Sequence, residues 1–246
     1  MKKYLLLLAF VLLVMPGQLL AQAGGQNQSA ASVLTNIQQK ITWRTPADSL
    51  RQVAAALDEL RAKSPNAYLS YWGAFAQYHL YFRATQDKKT AEKALQIGIA
   101  LLEEVSTKTA EHYALLSLLQ GLNLEFASFL TIPFKANAVK ENTEKALALA
   151  PNNLRAHYAR GINDFYTPSQ YGGGKVAADH FKKAIALPEK TDPNPYAPDW
   201  GKADAYSYLA QTYKKAGQTE LAKQYATEGL AKYPNHGQLK SLVAKL

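Results

Sequence analysis

The sequence holds few groups able to make or break a covalent bond. It contains no cysteine, which removes thiolate nucleophiles, disulfides and a lipid-carrying cysteine together. The histidines are His79, His112, His157, His180 and His236. None forms a His-x3-His pair or sits in an acidic cluster, so the ligand spacing of a zinc site is missing. There is no Gly-x-Ser-x-Gly elbow. Gly172-Gly173-Gly174-Lys175 looks at first like a phosphate-cradling loop. It lacks the Gly-x4-Gly-Lys-Ser/Thr spacing, and it follows a predicted helix where such a loop follows a strand. A wide turn between two helices fits better, because glycine accepts left-handed backbone angles and Pro168 ends the helix before it. His157, Arg160 and Asp164 share one face of a helix expected at 154–166, where an exposed Arg160–Asp164 ion pair is the plain expectation and a polar contact point the alternative. Acidic residues are plentiful, but nothing marks out a pair. The expectation is a protein without enzymatic activity, cofactor or metal.

What remains is a frame that positions side chains for binding. Apolar residues recur at three- and four-residue spacing, with no strand alternation. Helices are predicted at about 47–63, 66–85, 90–105, 109–130, 136–150, 154–166, 175–187, 203–216 and 219–232, with a short closing helix near 237–245. Residues 30–42 are a candidate for one more. Thr45-Pro46-Ala47-Asp48 starts the first of these with a cap, a proline in the first turn and a carboxylate facing the positive end of the dipole.

The N-terminus reads as an export signal. Met1-Lys2-Lys3 is followed by an apolar run from Tyr4 to Val14, then Met15-Pro16-Gly17 and Leu20-Ala21-Gln22-Ala23. That is a charged segment, an apolar segment and a small-x-small cleavage site. The apolar run, about 11 residues, falls well short of the ~20 needed to span a bilayer. Residues 1–23 are therefore expected to be removed, after Ala21 or Ala23, leaving a soluble periplasmic or secreted chain with no integral membrane segment. Residues 24–29 look like a flexible tether. The net charge of +9 falls to +7 once Lys2 and Lys3 leave. The lysines are spread along helix faces without an arginine-rich run, so nucleic acid is not the expected partner. An anionic membrane surface or an acidic partner suits the charge better.

The clearest internal unit is 203–236: Tyr206-x2-Leu209-Ala210-x2-Tyr213, then Ala222, Ala226 and Pro234. Small residues at Ala210, Ala222 and Gly229 let two antiparallel helices approach, and Gly217 turns the chain. The grammar recurs upstream. A residue seven positions on is small each time, from Val139 to Ala146, Ala177 to Ala184, and Ala222 to Gly229. With these residues the chain resembles the tetratricopeptide-repeat (TPR) superfamily across 66–236. The resemblance implies an all-α fold: a right-handed α-solenoid of about four antiparallel helix pairs. Residues 30–65 would supply an N-terminal cap and 237–246 a C-terminal capping helix. Tyr166-Thr167-Pro168, the Gly-rich turn and Trp200-Gly201-Lys202-Ala203 are also similar to exported bacterial repeat proteins. The Gly-Gly-x-Lys turn is similar to the periplasmic TPR subunit of TRAP transporters, thought to hold an apolar ligand within its stack.

The first helix of each pair lines the concave face of such a stack. Those helices carry Tyr71, Tyr78, Phe126, Tyr158, Phe165 and Tyr166, with Ile162 and Arg155. This predicts an apolar, tyrosine-lined groove for an unidentified protein or peptide, or alternatively for a small apolar ligand. No Lys and Asn cluster of the kind that chaperone-binding repeats use for a carboxylate stands out on that face. The Pro-rich insert at 188–200 reads either as a cover over one end of the groove, with Trp200 anchored on the last repeat, or as a plain connector.

Overall fold

A computed structural model describes residues 34–246 apart from 85 and 191. The expected export signal, the tether and the first four residues of the 30–42 candidate lie outside the described residues. Residues 34–38 are helical. Ten longer helices follow: α1 Ala47–Lys63, α2 Ala67–Arg83, α3 Lys88–Glu103, α4 Ala110–Asn123, α5 Ile132–Leu149, α6 Leu154–Tyr166, α7 Ala177–Ala186, α8 Lys202–Lys215, α9 Thr219–Lys232 and α10 Gly237–Lys245. No strand occurs among the described residues. The antiparallel pairs are α2/α3, α4/α5, α6/α7 and α8/α9, with α1 against α2 and α10 against α8 and α9. The chain is an α-solenoid of four helix pairs with caps at both ends.

Most helix limits fall within two or three residues of the sequence expectation. The exception is α4, expected to run to 130. It stops at Asn123, tightens into a 3₁₀ turn at Leu124–Phe126, and α5 starts four residues early at Ile132. Pro133 sits in the first turn of α5, where its missing N–H costs no hydrogen bond. Asn66 and Asn153 cap α2 and α6, accepting from the N–H groups of Tyr68 and Ala156.

The helices of each pair meet where side chains vanish. A β-carbon on Gly161 would lie 2.5 Å from the Phe181 ring, and one on Gly229 would lie 2.7 Å from Cβ of Tyr206. The Gly-rich turn opens with Gly172 and Gly174 at positive φ, and Gly173 leaves no room for a side chain against the Thr167 carbonyl. Helix α2 is the centre of the molecule. Every residue from Tyr68 to Tyr81 is buried, as expected of a helix that is apolar all round.

Gly161→Ala should destabilise the fold by about 1–3 kcal/mol through overpacking, despite alanine's better helix propensity. Phe181→Ala should cost about 3–5 kcal/mol. Urea unfolding followed by circular dichroism measures both.

Candidate ligand cleft at the C-terminal end of the inner face

The inner face is not one open groove. Its N-terminal part is filled by the chain itself. Trp200 stacks on Phe75 with ring centroids 4.5 Å apart, and its indole N–H donates to the Tyr71 hydroxyl (2.9 Å). Trp72 Nε1 donates to the Tyr196 carbonyl (2.8 Å), and the Tyr68 hydroxyl donates to Asp192 (2.6 Å). The insert therefore spans the stack and docks on the first repeat, where Trp200 was expected on the last. A second closure comes from before α1. Trp43 Nε1 donates to Asp204 of α8 (3.0 Å), which also accepts from His236 Nε2 (3.1 Å).

One ion pair locks this arrangement. Arg155 is 2% exposed. Its Nε and Nη2 donate to the two carboxylate oxygens of Glu111, the second at 2.8 Å. Nη1 donates to the carbonyl of Trp200 (2.7 Å) and Nη2 also to that of Glu189 (2.8 Å). Burial alone would lower the guanidinium pKa, but the Glu111 carboxylate holds it above its ordinary value. Removing one partner of a buried pair strands the other charge.

Of the eight residues expected to line a groove, Tyr71, Tyr78, Arg155, Tyr158 and Ile162 are buried. Burial raises the Tyr71 and Tyr158 hydroxyl pKa values well above the usual. These five face the interior rather than solvent. Phe126 and Phe165 are partly buried, and Tyr166 is 62% exposed. The expected Arg160–Asp164 pair does not form among the described residues. Asp164 instead accepts from the N–H groups of Val176 and Ala177 (2.8 Å each), capping α7. His157 Nε2 donates to the Pro151 carbonyl (2.8 Å), and its Nδ1 lies 2.9 Å from Nδ1 of His180, a contact that needs one proton between the two nitrogens; burial lowers the pKa of both rings. No group of three or more metal-binding side chains exists among the described residues.

The open part lies where α6, α8 and α10 meet. A cleft of about 460 Å³ has Phe165 and Leu242 as its apolar lining. Lys214, Lys215 and Lys245 ring it, with Gln211, Gln238 and Ser241 between them. Lys215 Nζ sits 5.2 Å from the Phe165 ring centroid, a cation–π contact. Three lysines thus converge where no such cluster was expected. They come from two helices about thirty residues apart, and the turn that folds α10 back onto α8 brings them together. Phe165 was the legible part of this site; the signal for the rest was the lysine at each helix end.

No family model matches the chain, and no curated protein sequence does. Solved structures do. The HusA haemophore from Porphyromonas gingivalis superposes with a TM-score of 0.59 at 18% identity, covering 77% of this chain and 93% of that one. TTC0263, a thermophilic TPR protein of Thermus thermophilus, gives 0.56 at 14% identity, covering 89% and 97%. The chain has the TPR fold. At these identities the likeness is one of fold, and the site must be argued from its own side chains.

Arg155→Met should cost about 3–5 kcal/mol in urea unfolding, because Glu111 is left buried and uncompensated. Adding Glu111→Leu should recover much of that loss. A pH series tests the buried imidazoles. Burial pushes His79, packed between Trp43 and Phe75, down to about 4, and burial with its neighbour His157 does the same for His180. Both bind protons more weakly folded than unfolded, where the pKa is about 6.5. Their contribution is complete above pH 6.5 and is lost as pH falls toward 4. The melting temperature should drop across that window, and His79→Gln should flatten the slope between pH 6.5 and 5.

Proposed function

We propose that this chain is an exported, non-catalytic TPR scaffold of the cell envelope that holds a protein or peptide partner in the cleft between α6, α8 and α10. The contrast along the inner face carries this reading. One half is filled by the chain's own insert, while the other keeps an apolar floor and a cationic rim open to solvent. A segment that fits would lay an apolar side chain on Phe165 and Leu242 and bring an acidic group to Lys214 and Lys245. Aromatic anchors with charged rims are what binding surfaces use for affinity and orientation. The exported location rests on the N-terminal segment, and the net positive charge suits an acidic partner.

A second reading is favoured by one observation. HusA, of like fold, is a haemophore, and a volume of about 460 Å³ lies within the roughly 300–1,000 Å³ of small-molecule sites. A planar apolar ligand bearing carboxylates would suit the same floor and rim.

Capture from an envelope fraction should recover a discrete partner with the wild type and lose it with Phe165→Ala and with Lys245→Glu. Recovery of the same proteins by both variants would remove the cleft from the proposal. Haem titration followed by absorbance separates the two readings. Saturable one-to-one binding that Phe165→Ala weakens at least about tenfold, some 1.4 kcal/mol, favours the small ligand. No spectral change, with a clean apo mass by native mass spectrometry, leaves the protein partner.

A further inference from the structure

Among the described residues, the most exposed large apolar side chains are not on the inner face. Phe129 is 86% exposed, Leu130 78% and Phe134 79%, and Ile132 is exposed beside them. Phe129 and Leu130 stand on the turn from α4 to α5, and Ile132 and Phe134 in the first turn of α5. The α4–α5 turn is held in shape. Ser128 Oγ bonds Thr131 Oγ1 (3.0 Å), and the Ser128 carbonyl accepts from the N–H groups of Thr131 (2.9 Å) and Ile132 (3.1 Å). It is a preformed apolar tip.

The tip shares an edge of the solenoid with the other turns that link the two helices of a pair. Tyr81, near the end of α2, donates to Glu125 beyond α4 (2.8 Å). A β-carbon on Gly121 would lie 3.3 Å from Asn163 near the end of α6. Phe165 lies under Lys215 at the end of α8. The four turns together with the helix ends that flank them, residues 84–89, 124–135, 167–176 and 214–218, contain six lysines against the two carboxylates of Asp87 and Glu125. Tyr171, also well exposed, stands on the third turn.

We infer that this edge docks on the surface of an anionic lipid bilayer, with Phe129, Leu130 and Phe134 entering the interface. Apolar and aromatic side chains gain by leaving water for the interface, and lysines beside them gain from acidic headgroups. Exposed apolar side chains gathered on one tip mark an interaction surface, and the lysines spaced along the same edge favour a negatively charged, apolar-cored one. No helix among the described residues is long and apolar enough to cross a membrane, so the contact is peripheral. The apolar tip shares no residue with the inner cleft, although Lys214 and Lys215 border both, so the tip can fail as a bilayer contact while the cleft stands.

The absence of cysteine allows one to be placed at will. Leu130→Cys carrying an environment-sensitive fluorophore should shift to the blue on adding phosphatidylglycerol-containing vesicles. The same probe on exposed Gln224 of α9, as Gln224→Cys, should not respond. The response should fall with salt as the Debye length shortens from about 10 Å at 0.1 M toward 3 Å at 1 M, and should be weak on phosphatidylcholine alone. In the full chain, the triple variant Phe129→Ser, Leu130→Ser, Phe134→Ser should lower vesicle partitioning at least about tenfold with an unchanged circular dichroism spectrum. A silent tip probe, an equal response from Gln224, or undiminished partitioning of the triple variant would overturn the inference. So would a dimer in sedimentation that the triple variant abolishes while vesicles leave the tip probe unchanged, which would make the patch a contact between copies.

Discussion

The buried pair between Arg155 and Glu111 is the constraint on which the arrangement of the inner face depends. A guanidinium has five N–H donors in a fixed fork, and here that fork is shared between a carboxylate on α4 and two carbonyls of the 188–200 insert. Glu111 accepts a further bond from Asn153 (2.5 Å), the residue that caps α6. One charged cluster therefore fixes the spacing of two repeats, the start of a helix and the path of a proline-rich segment. With the path fixed, Trp200 reaches Phe75 and Tyr71, and the tyrosines of the inner face become interior.

The helices and the pairing grammar were legible because they are local. Caps such as Asn66 and Asn153, the small residues at Gly161 and Gly229, and the turn glycines act on neighbours a few residues away or on the partner helix of the same pair. The end of α4 was not legible. Leu124 to Ile132 keeps helical apolar spacing, yet Phe129, Leu130 and Ile132 face water, and hydrophobic periodicity carries no record of which face is covered. Part of the inner-face aromatic set, Tyr71, Tyr78 and Tyr158, is interior and packs on the chain itself. Tyr71 and Tyr158 meet the chain's own Trp200 and Tyr78 meets Trp43, partners 35 to 129 residues away that no short window of sequence contains. The cleft was half legible, through Phe165, because its lysines meet only when α10 turns back on α8.

Surface and interior divide the aromatic residues by role. Rings on α2 and the early part of α6 interlock with the insert and leave no free face. Phe165 and Tyr166, at the end of α6, mark the transition, one partly covered beneath Lys215 and the other exposed, its ring edge-on to Phe165 and its hydroxyl 3.0 Å from that of Tyr208. Beyond them lie the open cleft and the edge turns, where lysine replaces tyrosine as the dominant neighbour.

The docking of Trp200 on the first repeat also bears on how the molecule comes apart. A repeat array is ordinarily a one-dimensional chain of neighbours, able to fray from either end while its middle survives. Here the bonds from Trp200 to Tyr71 and from Trp43 to Asp204 bridge 129 and 161 positions of sequence, so the first and last repeats are neighbours too. Loss of either end removes contacts from the other, so a single cooperative melting step is the expectation for an array closed in this way.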